Sequence, residues 1–158
     1  MKIAIDCRSV FPGRGGIGRY AENHARIMPG MDGKNDYLLL TTHRQKEIIC
    51  NSNRVEQISF QTGMIDPLWE QVTLPGILKD YGVDIYHNPC FSLPVAKENS
   101  KFVTTVHDVV FRERPDLVEE KLCNYLDRWT EVACKVADNI ITVSQYSKQK
   151  LIEFYDVD

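Results

Sequence analysis

Six short runs of aliphatic and β-branched residues alternate along this chain with helical stretches, and that alternation constrains its fold more than any other feature. The runs fall at residues 2–6, 37–42, 55–60, 83–87, 102–107 and 140–143. Between them the sequence predicts helices over 17–28, 43–50, 67–81, 116–137 and 144–155. Pro29-Gly30 should stop the first helix. Pro67 suits the first turn of the third, where a missing N–H costs little, and Pro75 within it predicts a kink or split. Val118, Leu122, Tyr125, Trp129, Val132 and Val136 recur at steps of three and four, the stripe of a core-facing helix. Unbroken apolar strands separated by helices indicate a mostly parallel sheet covered on both faces. The expected fold class is therefore α/β: a doubly wound, Rossmann-like domain of about six strands spanning residues 1–158.

Composition narrows the function. The chain has 158 residues, 43% of them hydrophobic, too many for a disordered segment and ordinary for a packed domain. Its 19 basic and 22 acidic residues give a net charge of −3, without the basic excess of a nucleic-acid partner. No apolar run reaches the ~20 residues of a bilayer span, and Asp6 interrupts the start where a signal peptide would stay apolar. A cytoplasmic protein is expected. Five cysteines (Cys7, Cys50, Cys90, Cys123, Cys134) make an odd set with no C-x-x-C pair. Cys123 and Cys134, on one helix, would lie ~16 Å apart, too far for a bridge or shared metal. Reduced cysteines packed as small apolar residues are the expectation.

In doubly wound sheets, ligands bind beyond the carboxyl ends of the strands. Four clusters should share that rim: Arg8–Gly18 after the first strand, His87-Asn88-Pro89, His107-Asp108, and Ser144-Gln145-Tyr146-Ser147. Gly13-Arg14-Gly15-Gly16-Ile17-Gly18 contains G-x-G-x-x-G, the dinucleotide fingerprint. Its context fails on two counts. Gly13 stands seven residues beyond Asp6, and the second strand ends Leu40-Thr41-Thr42-His43 without the acid that would bind a ribose. The glycines serve instead a loop running into a helix N-terminus, where unpaired N–H groups and a partial positive charge favour phosphate. Arg14 and Arg19 would add positive charge there. A surface loop before a helix is the plainer alternative.

A histidine with a neighbouring aspartate at a strand end can be oriented to hydrogen-bond a substrate hydroxyl. As a dipeptide alone, His107-Asp108 is as well explained by structure. In combination, Ile3–Tyr20, Trp69-Glu70-Gln71 with Leu74-Pro75, Asp84–Pro89, Thr104–Asp108 and Val143-Ser144-Gln145-Tyr146-Ser147 resemble the N-terminal domain of family 4 (group 1) retaining glycosyltransferases. The Trp-Glu-Gln segment is most similar to mannosyltransferases of bacterial surface-polysaccharide assembly.

The resemblance implies one half of a GT-B fold, the acceptor-side domain, with a C-terminal donor-binding domain absent from this chain. It implies transfer of a sugar from a nucleotide sugar to a saccharide or lipid-linked acceptor, in polysaccharide or glycolipid assembly, with no cofactor and no metal required. The isolated domain would be inactive. Gly15 and Gly16, with Ile17, Gly18, Arg14 and Arg19 beside them, would lie near the donor diphosphate. His107 would meet the transferred sugar, with Asp108 as its orienter. His87, Asn88 and Ser144 would face the acceptor, although packing explains His87 and Asn88 as well, and N-capping explains Ser144. A lipid-linked acceptor would add peripheral association with the inner face of the membrane, though no basic amphipathic helix demands it. Two alternatives stay open on the residues: a non-catalytic nucleotide- or sugar-phosphate-binding module, and an NAD-binding Rossmann domain.

Overall fold

The computed structural model describes all 158 residues. Six strands form one sheet: β1 (Lys2–Asp6), β2 (Asp36–Thr42), β3 (Val55–Phe60), β4 (Ile85–Asn88), β5 (Lys101–Val106) and β6 (Asn139–Thr142). Their order is β3-β2-β1-β4-β5-β6, and every ladder is parallel. The order reverses direction between β1 and β4, which makes the gap beyond their carboxyl ends the switch point of the fold. Five helices connect and cover the strands: α1 (Gly16–Asp32), α2 (Leu74–Asp80), α3 (Val110–Glu113), α4 (Glu120–Val136) and α5 (Gln145–Tyr155).

The two-faced sheet follows from side-chain alternation. In β2, Leu38 and Leu40 join one core with Trp69, Leu74, Tyr86, Phe102 and Ala133, under α2 and α4. Tyr37 and Leu39 point the other way, to Ile5, Ala21 and Ala25 under α1. Leu38, Leu39 and Leu40 are all fully buried, and each such side chain contributes about 1.5–3 kcal/mol. A third cluster joins Val106, Val109 and Phe111 to Leu151 of α5.

Several helix boundaries differ from those the sequence predicts. No helix forms over 43–50, which is an irregular loop. Its backbone is tied instead by side chains, with Gln57 accepting from the Ile49 N–H at 2.9 Å. Pro29 does not end α1. The helix runs on to Asp32, and Gly33, at φ 65°, caps it by donating to the Pro29 carbonyl. The fourth predicted helix begins at Glu120, because Pro115–Leu117 forms a separate 3-10 turn. Its buried face is also offset by one residue. Thr130 and Ala133 lie inside and Leu122 is exposed. Small residues let α4 sit close to the sheet, while Tyr125 and Trp129 lie along its flank. The five cysteines are all free.

The split predicted at Pro75 takes the form of a π-helical turn, Trp69–Thr73, closed by the Leu74 N–H donating to the Trp69 carbonyl. Pro75 has no N–H for an α-helical bond, and the wide turn absorbs the register change. This turn lays Trp69-Glu70-Gln71 against the end of β1. Gln71 clamps the 93–95 segment, donating to Leu93 O at 3.1 Å and accepting from the Val95 N–H at 2.8 Å.

Trp69 and Glu70 complete a buried ionic cluster. Asp6 (3% exposed), Arg8 (2%) and Glu70 (4%) are all inside. Arg8 Nε donates to Asp6 at 2.8 Å, and Nη2 donates to Glu70 at 2.7 Å. The guanidinium lies 4.6 Å from the Trp69 ring centre. Tyr86 donates to Asp6 at 2.7 Å and Ser92 to Glu70 at 2.9 Å. Burial opposes the charge on Arg8, but Asp6 and Glu70 outweigh it and hold the guanidinium well above its usual range. Burial pushes the Glu70 carboxyl up despite Arg8. Removing one member of such a cluster strands the others. Arg8→Met is expected to destabilise the fold by about 3–5 kcal/mol, read from the urea midpoint; a loss below about 1 kcal/mol would mean that the carboxylates find water.

Candidate functional site

The glycine loop leads from β1 into α1, which starts at Gly16 without any side-chain cap on its first turn. The glycines separate into two kinds. Gly18 is buried, and a Cβ there would collide with the Ser9 carbonyl oxygen and come within 2.6 Å of Arg14 Cβ. Its role is close packing of the helix on the loop. Gly15 and Gly16 are exposed, neither has positive φ, and a Cβ on either would meet nothing within 4 Å. The fold itself therefore does not require glycine at these two positions. Arg14 is engaged by Glu22, which also binds Arg26 at 2.7 Å, so its guanidinium is held against α1. Arg19 is exposed on the first turn.

His107 follows β5 on the same rim. Its Nε2 lies 2.9 Å from the Pro89 carbonyl. A carbonyl only accepts, so Nε2 carries the hydrogen and Nδ1 of the neutral ring is free to accept. The ring also meets Tyr20 of α1 edge-on, with centroids 4.9 Å apart. Asp108 does not hold the ring. It accepts from the Val110 N–H at 3.1 Å and so shapes the turn into α3. Ile17, His107, Asp108, Phe91, Phe111 and Leu126 line one mostly apolar pocket. The structure thus brings Ile17 of the glycine motif and the His-Asp pair together.

The residues expected to face an acceptor are placed differently. His87 is 4% exposed, with Nδ1 3.1 Å from His24 Nε2 and Nε2 2.9 Å from Thr105 Oγ1. It belongs to the interface between sheet and α1. Burial, aided by His24, pulls its pKa down to about 3. Burial lowers that of His24 as well. Asn88 is equally enclosed. It donates to Ser92 and accepts from the Cys90 N–H at 3.0 Å, which fixes the turn after β4. Ser144 caps α5, accepting from the Ser147 N–H at 3.0 Å. Ser147 in turn donates to the His107 carbonyl at 3.1 Å, so the α5 turn braces the His-Asp segment.

Tyr20, His24 and Pro89 carry geometry that the sequence analysis assigned no role. Tyr20 and His24 are one helical turn apart and stack at 6.0 Å, a pairing their i, i+4 spacing allows. The Pro89 contact has no local signal, because it joins the ends of neighbouring strands.

Two outcomes test this assignment. Gly18→Ala should destabilise the fold by about 1–3 kcal/mol, whereas Gly16→Ala should be neutral or slightly stabilising, as measured by thermal unfolding. Equal effects would erase the distinction between packing and ligand-facing glycines. For His87, the folded pKa lies below the unfolded value near 6.5, so the unfolded chain binds more protons between about pH 3 and 6.5. Stability from this group is full above pH 6.5 and falls on acidification, by up to about 1.4 kcal/mol per pH unit. His87→Gln should flatten that part of the pH dependence of the urea midpoint. An unchanged slope would place a protonated His87 in the folded state.

Comparisons with known proteins bear on the family and the fold. The family profile described as Glycosyltransferase Family 4 matches residues 14–158. Over 79 residues, half of the chain, the sequence is 32% identical to the O-antigen chain mannosyltransferase B of Escherichia coli, and it covers 20% of that protein's length. A solved glycosyltransferase from Rickettsia africae ESF-5 aligns over 99% of this chain and 40% of its own, at a TM-score of 0.50 and 15% identity. That last likeness is one of fold alone. No helix of the chain is long and apolar enough to cross a membrane.

Proposed function

The chain belongs to glycosyltransferase family 4, and on that premise we propose that it is the N-terminal, acceptor-side half of a GT-B enzyme. The enzyme moves a sugar from a nucleotide sugar to a hydroxyl acceptor with retention of configuration. A second α/β domain in the whole protein holds most of the donor. This is in keeping with the fractions of the two relatives that the chain covers, a fifth and two fifths. The name of the Escherichia coli relative favours mannose as the sugar and a polysaccharide or glycolipid as the product.

One observation carries the reading. His107 is fixed at Nε2 by Pro89 and edge-on by Tyr20, and it lines a pocket together with Ile17 from the first turn of α1. Charge develops on the leaving diphosphate and on the anomeric carbon during transfer. The uncapped start of α1 offers backbone N–H groups to the diphosphate, and exposed Gly15 and Gly16 let it approach closely. Arg19 adds a cation, while Arg14 stays with Glu22. No metal is required in this scheme. Nδ1 of His107 accepts from a hydroxyl of the transferred sugar, and its fixed plane aligns that contact.

If the contact is strongest in the transition state, its loss lowers turnover more than donor binding. In the full-length protein, His107→Ala is expected to reduce kcat about 10²-fold or more, since positioned polar groups contribute 10²–10⁴. The melting temperature should barely change, because the ring stands at the rim. Normal turnover with a lowered melting temperature would make His107 a structural residue and remove its role in transfer, and the absence of sugar transfer by the unaltered full-length protein would remove the reading.

A further inference from the structure

Three polar residues that the transfer scheme leaves unused, His24 of α1, His87 of β4 and Thr105 of β5, form a hydrogen-bonded network that ends on Tyr20. His24 Nε2 lies 3.1 Å from His87 Nδ1, and His87 Nε2 lies 2.9 Å from Thr105 Oγ1. The Tyr20 hydroxyl lies 3.5 Å from the same Thr105 oxygen, at the outer limit of a hydrogen bond. The pleat brings these side chains together. His87 is paired with Val103, so Thr105, two residues on, projects from the same face, and His107 continues that alternation. On α1, Tyr20 and His24 share a face at their i, i+4 spacing. Tyr20 thus stacks on His24 and meets His107 edge-on.

Polar groups are costly to bury unless each is paired. Thr105 is fully enclosed and His87 is 4% exposed. Each can give one hydrogen and take one, so the centre of the network closes in either direction. The bond between the two imidazoles needs a single hydrogen, which neutral rings supply and two protonated rings cannot. Burial favours the neutral form of both rings. A satisfied buried network rigidifies its members and specifies one arrangement. Here that arrangement reaches the ring against which His107 rests. The Pro89 carbonyl holds one atom of the His107 ring, which leaves the ring free to turn about that bond. Tyr20 supplies the second restraint, and the network fixes Tyr20.

We propose that His24, His87 and Thr105 are positioning residues, which hold Tyr20 from behind and through it set the plane of the His107 ring. Their effect on sugar transfer rests on the transfer reading above, whereas the setting of the ring does not.

The test compares Thr105→Val, nearly the same size without the hydroxyl, with Thr105→Ser, which keeps the hydroxyl. In this chain with nitrogen-labelled histidine, NMR reads the exchange of the His107 Nε2 hydrogen with water. Thr105→Val should speed that exchange roughly threefold to tenfold, the restraint of about one net hydrogen bond, and Thr105→Ser should leave it near the unaltered rate. His24→Leu, at a half-buried position of α1 and the far end of the network, should speed it likewise. In the full-length protein, Thr105→Val should lower kcat about threefold to tenfold with the donor KM unchanged, and Thr105→Ser should restore it. A lower melting temperature for Thr105→Val, with the His107 hydrogen and kcat unchanged, would make the network packing alone and overturn the proposal. Equal losses for Thr105→Val and Thr105→Ser would overturn it too, by tracing the effect to shape rather than to the hydroxyl. Unchanged kcat in an active full-length protein would overturn the positioning role even beside faster exchange. The two readings fail separately. A full-length protein that transfers no sugar removes the transfer reading, and the His107 hydrogen then decides the setting of the ring by itself. An unmoved His107 hydrogen beside normal transfer by the unaltered protein removes only the network.

Discussion

The ion pairs that Arg8 makes with Asp6 and Glu70 set the geometry of the whole carboxyl rim. Asp6 ends β1, Glu70 lies in the π turn before α2, Tyr86 lies in β4, and Ser92 lies in the segment after it. Taking a guanidinium and two carboxylates out of water costs several kcal/mol per ion, and only well-placed partners offset it. The cluster therefore tolerates few arrangements. It fixes the end of β1 relative to β4, and so where the glycine loop leaves and where Asn88 and Pro89 turn. The Pro89 carbonyl then fixes the ring of His107. Rim geometry thus descends from a buried charge cluster through backbone turns, without any contact between Arg8 and His107.

Much of this fold was legible in the sequence because its signals are local. The unbroken apolar strands, β2 among them, specify a parallel sheet with two covered faces, and Ser144 announces the start of α5. The misread elements are those where tertiary contacts override local preference. Pro29 sits within α1, past the expected stop, because Gly33 supplies the left-handed residue that ends the helix three residues after Gly30. The loop over 43–50 is held by Gln57, which accepts from the Ile49 N–H and donates to the Glu47 carbonyl. In α4 the fully buried positions, Thr130 and Ala133, are small and stand one residue past Trp129 and Val132 of the expected stripe, while Val118 and Val136 of that stripe do pack on the hydrophobic clusters.

The site was legible to a lesser degree. The residue types at strand ends located the rim, and the His-Asp and glycine motifs do meet one pocket through Ile17. Their partners were not visible, because they join distant positions: Pro89 with His107, Arg8 with Glu70, and His24 with His87. The expectation that His87 and Asn88 face a ligand rested on their place at the end of the strand predicted over 83–87. Both side chains turn inward, where His24, Thr105 and Ser92 complete their hydrogen bonds. Position at a strand end specifies the rim for the backbone; the direction of each side chain is decided by the pleat.

The strand order also governs how this chain emerges from a ribosome. β1 is central, between β2 and β4, yet β4 begins only at Ile85. Until then β1, β2 and β3 can pair, but one side of β1 stays open. Arg8 lacks Glu70, and Asp6 lacks Tyr86, for the several seconds that synthesis of the intervening stretch takes at ~5–20 residues per second. The nascent half-sheet thus carries an open apolar edge of Ile3, Ala4 and Ile5, the kind of edge that recruits strands from other chains. The Asp6 and Arg8 charges stand at the end of that edge, still hydrated. Before their burial locks the native order, they make the same edge a poor template for a stranger.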